Sequence, residues 1–200
     1  MAIQYIAVDV EASGPTPANY SLLSVGACVV GQSETKFYKE LKPISSNYSI
    51  EAMKVGCLEL RCLDYLKRKD SRFNARSRNF RPDFVLQIIE HDGVEPAAAF
   101  SEFREWILGS SKGKKPFLAS DCVAFDGMYI HFYFDKFGIE NPFGYGGLNI
   151  NSMYKGFARS EGASLKGSNF HPDTPSHNAL EDAVGQARAL EKLLKAMRKR

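Results

Sequence analysis

IQYIAVDVEASGP, residues Ile3 to Pro15, carries two signals that pull against each other. Ile3 to Val8 is a short apolar run suited to a buried strand, and Gly14, Pro15 and Pro17 break the chain beyond it into a loop over Ala12 to Asn19. At the end of that strand stand Asp9 and Glu11. Side chains two residues apart on a strand share a face, and acids are poor strand formers. Two like charges side by side cost energy unless the strand frays into solvent there or a cation joins them.

Outward from this stretch the pattern first stays with strands. Leu22 to Val30 is a second, and Gly31-Gln32 turns the chain into a third over Thr35 to Leu41, where Lys36, Tyr38 and Glu40 alternate with Phe37, Lys39 and Leu41. Short turns between three strands predict an antiparallel meander. After Pro43 the period becomes helical. Ser49 is a suitable N-cap for a helix opened by Ile50 and Met53 and continued at 3–4 spacing by Leu58, Cys62 and Leu66. Phe100, Phe103, Trp106 and Ile107 form the face of another helix, which stops near Gly109.

Pro116 to Ser120 is a short strand, Ala124 to Phe137 an aromatic-rich helix closed by Gly138, and Gly147 to Ile150 a further short strand. A long helix from about Ala179 to Met197 presents Leu180, Ala183, Val184, Ala187, Leu190 and Leu194. Strands first, then strands alternating with helices, predict an α/β fold: a mixed β-sheet, antiparallel meander plus parallel strands, flanked by helices. The 200 residues suit a single domain over 1–200.

Composition narrows the class. At 44% hydrophobic, 24% charged and 12% aromatic the chain is neither disordered, collagen-like nor a coiled coil. No run of about 18 apolar residues suggests a membrane span, and the N-terminus lacks the basic start of a signal peptide. Four cysteines without a CxxC pair are expected as reduced thiols, in a cytoplasmic protein. The net charge of +3 is unevenly spread: Arg61 to Arg81 holds eight basic residues against Asp64 and Asp70, or +6, which leaves −3 for the remainder.

With few apolar residues, that stretch is expected as a long loop, a basic insertion at about 61–85. It is either a phosphate-gripping flap, with Arg72, Arg76 and Arg78 on the backbone and Phe73 and Phe80 stacking on unpaired bases, or a solvated or protein-binding surface. The basic residues that end the chain suit the C-terminal dipole of the last helix.

Three places put acids where a core does not normally want them: Asp9 with Glu11, Asp126 just after an apolar strand, and Asp182 with His177 where the final helix begins. Singly, each has a plain explanation. Asp126 and Asp182 suit the first turn of a helix, where Asn178 and Glu181 also look like a capping pair, and a lone histidine is commonly a surface residue. Together they ask for one account. Four carboxylates offer hard oxygen ligands for two divalent cations, Mg²⁺ or Mn²⁺. Two such ions roughly 3.5–4 Å apart stabilise the attacking and leaving oxygens at phosphorus, while a histidine takes the proton of the attacking water. That describes phosphodiester hydrolysis.

AVDVEASGP (Ala7 to Pro15) resembles the first motif of the DEDD-type 3′→5′ exonucleases, SDCVAFDGMYI (Ser120 to Ile130) the second, and HNALEDA (His177 to Ala183) the third in its histidine form, DEDDh. LLSVGACVV and FSEFREWI are similar to framework segments of that family. The resemblance spans about residues 3–190 and departs at Pro15, where many relatives have Leu, at Asp121-Cys122, where many have His-Asn, and at Ser24, where many have Glu. It implies an RNase H-like fold. It further implies that Asp9, Glu11, Asp126 and Asp182 ligate the two metals, with Asp9 bridging, and that His177 is the general base. Ala12, Ser13 and Gly14 would lie near the 3′-terminal sugar. The expected activity is removal of nucleoside 5′-monophosphates from the 3′ end of single-stranded nucleic acid, RNA or DNA. The alternatives are hydrolysis of a dinucleotide and a non-catalytic single-strand-binding or adaptor protein on the same fold.

Overall fold

The computed structural model describes residues 2–171 and 176–199. Strands β1 (Ile3–Ala12), β2 (Leu22–Val29) and β3 (Gln32–Glu40) form the antiparallel meander that the turns predict, and β4 (Lys115–Ser120) and β5 (Gly147–Asn149) extend it in parallel beyond β1, in the order β3-β2-β1-β4-β5. β1 therefore lies at the centre of a mixed sheet, covered on both faces, which is why its sequence is a nearly continuous apolar run.

The alternation of β1 sorts its side chains between two layers. Ile6, Val8 and Val10 pack with Phe100 and Phe103 of α4 (Pro96–Ser111) and with Tyr129, Tyr133 and Phe134 of α5 (Val123–Lys136). Ala7, on the other face, packs with Cys28 of β2 and with Val184 and Ala187 of α7 (Ala179–Met197). Small residues on that side let α7 come close. Gly26, paired with Asp9 across β1 and β2, lies directly beneath the start of α7: a Cβ there would stand 2.2 Å from the carbonyl carbon of Ala179. Asn178 caps α7 as expected, its side-chain oxygen accepting from the N–H groups of Leu180 and Glu181.

The stretch after the meander differs from its expected form. Ser49 does cap α1 (Ile50–Gly56), but the helix ends at Gly56, and Leu58, Cys62 and Leu66 do not extend it. Leu60 is extended, with φ −67° and ψ 129°. Instead of a long loop, the basic stretch forms single turns at Arg61–Leu63 and Ser71–Phe73 and a short helix, α2 (Leu66–Lys69), and leads into α3 (Pro82–Asp92), which the pattern does not foresee. These pieces close on a second core of Leu23, Met53, Leu60, Leu63, Val85 and Ile89. The 3–4 spacing thus reports several short turns facing one core rather than one helix. Phe73 and Phe80 pack, half-buried, against this core.

A further unforeseen helix, α6 (Ile150–Ala158), follows β5 directly, capped by the Asn149 side chain, which accepts from the Ser152 N–H at 2.7 Å. The four cysteines are free thiols, with Cys28 and Cys57 buried and Cys122 exposed. Among the described residues no helix is long and apolar enough to cross a membrane.

Candidate active site

Three elements converge at the C-terminal end of β1. The strand itself supplies Asp9 and Glu11, and its register against β2 shifts between Glu11 (opposite Ser24) and Ala12 (opposite Leu22). Such an irregularity re-aims side chains, here next to the acids. α5 supplies Asp126 from its first turn; the residue is 3% exposed, its Oδ1 accepts from the Val10 N–H at 3.2 Å, and its Oδ2 accepts from the Ser120 hydroxyl. The Val10 bond fastens α5 to β1 beside Asp9.

α7 supplies Asp182. Its Oδ1 accepts from the Ser176 N–H (2.8 Å) and its Oδ2 from the His177 N–H (2.9 Å), so the carboxylate folds the chain before the helix back on itself. His177 adopts φ +59°, a left-handed conformation uncommon for a residue with a side chain. Such conformations cluster where function holds a residue in place.

The five residues expected at the site meet in two groups. One ligand atom each from Asp9, Asp121 and Asp126 lie within 4.8 Å of one another, and so do ligand atoms of Glu11, His177 and Asp182. Burial raises the Asp9 pKa well above the ordinary carboxylate value, and the charges of Asp126, Glu11, Asp182 and Asp121 raise it further. Glu11 is likewise raised, by burial and then by Asp182 and Asp126, with Lys166 partly offsetting them. Burial pushes Asp126 up to about 7 despite the hydrogen bond from Ser120. A desolvated cluster of acids that oppose each other's ionisation is a donor set that fits divalent cations.

Asp121, Lys166 and Gln186 belong to the site although the motifs do not single them out. Gln186 donates from Nε2 to Asp9 Oδ1 at 2.7 Å and accepts at Oε1 from the Asp121 N–H at 3.1 Å. Its position one helical turn after Asp182 was the signal that could have found it. Lys166 Nζ lies 2.9 Å from Asp121 Oδ2. Burial opposes its charge, but Asp121, Asp9 and Asp182 outweigh that and raise its pKa above the usual lysine value.

The residues expected near the terminal sugar divide. Ala12 and Gly14 line a cavity of about 300 Å³ together with Glu11, Pro15, Val55 and Phe125. Ser13 is fully buried and its hydroxyl is committed to the fold, donating to the Asn47 carbonyl and accepting from the Ser21 N–H. Gly14 is needed because the Tyr20 ring lies where a Cβ would stand, at 2.2 Å, and its carbonyl accepts from the Tyr129 hydroxyl at 2.7 Å. In the basic stretch Arg72 pairs with Asp70 and lies over the Phe84 ring, and Arg76 stands 3.8 Å from Glu59. Arg78 is exposed and has no carboxylate partner among the described residues. The Asn178 side chain donates to the Glu59 carbonyl at 2.9 Å, tying the start of α7 to this region.

Residues 4–194 match the model of the Rv2179c-like family, a 3′-5′ exoribonuclease Rv2179c-like domain. The chain belongs to this family. It is a 3′-5′ exonuclease, which sets aside a non-catalytic binding or adaptor protein. It is also similar to the 3′-5′ DNA exonuclease Cap18 of Escherichia coli, with 32% identity over 198 residues, 94% of this chain and 92% of that protein. In fold it is similar to the nuclease domain of 3′hExo, a DEDDh family member bound to rAMP, with a TM-score of 0.66, 14% identity, and 96% and 92% of the two chains covered. The zinc-bound E. coli ExoI–ssDNA complex gives a TM-score of 0.63 and 16% identity, with all of this chain and 42% of that one covered. The RNase H-like fold of the DEDDh exonucleases is thus the fold of this Rv2179c-like chain.

Proposed function

We propose that this exonuclease hydrolyses the phosphodiester bond at the 3′ end of single-stranded nucleic acid, RNA or DNA, and releases nucleoside 5′-monophosphates, with two Mg²⁺ or Mn²⁺ ions. The observation that carries the reading is the gathering of Asp9, Glu11, Asp126, Asp182 and His177 into two adjoining groups, each within 4.8 Å. Asp9, Glu11, Asp126 and Asp182 would hold the ions. When bound, such ions supply Lewis acidity that lowers the pKa of a water and stabilises charge at the scissile phosphate.

The chain's own residues do the rest. His177 is the general base that accepts the water's proton, and the Asp182 carboxylate accepting its backbone N–H fixes where the histidine stands. Gln186 holds Asp9 by its Oδ1. Ala12 and Gly14 border the cavity beside Glu11 in which the terminal nucleoside would sit, while Ser13 acts there by shaping the loop. Arg72, Arg76 and Arg78 form a surface for the phosphates further along the strand, and Arg78, free of a carboxylate, contributes most. The chain functions as a single exonuclease domain over 1–200, in the cytoplasm.

The family description names RNA and Cap18 is named for DNA, so both polymers are the substrates to compare. A time course with 5′-labelled single strands of each, in Mg²⁺, Mn²⁺ or EDTA, is expected to show a ladder shortening from the 3′ end only with metal. Shortening undiminished by EDTA would sink the metal-dependent reading, and products ending in a 3′-phosphate would sink the proposed cleavage chemistry.

A further inference from the structure

The small cavity over the acids is lined by Asp9, Asp121, His171, Asp182 and Gln186 and bordered by Lys166. The Lys166 side chain is half exposed while that of Asp121 is 12% exposed, so the ammonium reaches Asp121 from the solvent side. The same carboxylate has an oxygen within 4.8 Å of ligand oxygens of Asp9 and Asp126. Asp121 thus stands between a monovalent cation on its solvent side and a place that fits a divalent one.

Lys166 is held there by its neighbours. Leu165 is fully buried and its N–H donates to Asn151 Oδ1 at 3.0 Å. The Ser164 hydroxyl donates to the Lys166 carbonyl at 3.2 Å, and the Gly167 N–H to the His171 carbonyl at 2.9 Å. His171 is 5% exposed and sits against Gly185 of α7, where a Cβ would come within 3.3 Å of its ring. A cation tethered on a pinned loop has a high effective concentration at its target.

We propose that Lys166 is a built-in competitor of the divalent cations: its ammonium pairs with Asp121 in the metal-free protein and competes for that carboxylate with an ion beside Asp9 and Asp126. Lys166 is therefore a positioning residue that sets metal affinity, and Asp121 is a fifth acid of the site. This rests on the metal reading above. Removing the competing charge exposes the ion to uncompensated carboxylates and tightens binding.

Calorimetric titration of the whole chain with Mn²⁺ alone tests it. Lys166→Gln is expected to bind Mn²⁺ roughly ten-fold more tightly than the wild type, Lys166→Arg within about two-fold of it, and Asp121→Asn in the Lys166→Gln background to lose the gain. In thermal melts Lys166→Gln is expected to be less stable than the wild type in EDTA and to recover fully in Mn²⁺, whereas a merely structural lysine would lower both. If Lys166→Gln binds no tighter than a wild type that does bind Mn²⁺, or if Lys166→Arg gains as much, the competitor is overturned and the metal reading stands. A wild type that takes up no Mn²⁺ overturns both.

Discussion

Asp126 is buried in the first turn of α5 with its pKa pushed to about 7, against an ordinary 3.8. In the unfolded chain the group is ionised above about pH 4, whereas in the metal-free fold it keeps its proton to near neutrality. The raised pKa therefore stabilises the fold at low pH, and that stability is lost as the pH rises through about 7. Unfolding by urea in EDTA is expected to show stability falling between about pH 4 and 7 by up to a few kcal/mol, with Asp9 and Glu11 acting in the same direction. Mn²⁺ should offset the fall, because metal binds the deprotonated oxygens. A stability that rises over that range in EDTA would show that the acids are not opposed in this way. His177 carries a separate prediction: His177→Asn is expected to lower kcat by about 10²–10⁴-fold while Mn²⁺ still binds, as loss of a general base does. An unchanged kcat in steady-state assays would remove it from that role.

At the scale of elements, the approach of α7 to β2 brings Asp182 and His177 over Asp9 and Glu11, and Gly26 makes that approach possible. Gly26→Ala places a Cβ against the backbone of Ala179 rather than a yielding side chain. It is expected to cost about 1–3 kcal/mol in a denaturant melt and to depress activity about 10²-fold in the fraction that remains folded. An equally stable and active variant would contradict the packing.

Much of this level was legible in the sequence because its signals are local: the apolar run of β1, the alternation in β3, Asn178 before α7, the apolar run that ends at Ser120. What escaped depended on tertiary packing. α3 begins at Pro82 with Asp83 in its first turn, a start signal masked by the arginines before it. Leu58, Cys62 and Leu66 mimic a helical face because separate turns share one core. In the site, the four acids and His177 stand in motif order along the chain. Lys166 arrives from a loop with no motif, and Asp121 is visible only as a departure from one.

At the scale of the whole molecule, the charge is divided between an acidic cleft and a basic stretch that is part of the folded body. Asp70, Glu59 and Asp83 pair with Arg72, Arg76 and Arg81, which lowers the net field the stretch can offer a strand. Neutralising Arg72, Arg76 and Arg78 together is expected to weaken single-strand binding and reduce its salt slope by about 2, at most about 0.7 for each phosphate no longer neutralised. Arg78→Ala alone should account for the largest single share. A salt slope identical to the wild type in fluorescence titrations would mean that the stretch does not touch the phosphates.

The central claim is that the acids at the end of β1 run the exonuclease reaction through bound metal. It is tested most directly by single-turnover hydrolysis of a 5′-labelled single strand by Asp9→Asn beside the wild type, at equal protein and saturating Mn²⁺. Asp9→Asn keeps the shape of the side chain and its place beside Gln186 while removing the charge. The variant is expected to be folded and its rate to fall at least about 10³-fold, the scale of losing a charged contributor to transition-state stabilisation. A rate within a few-fold of the wild type would contradict it.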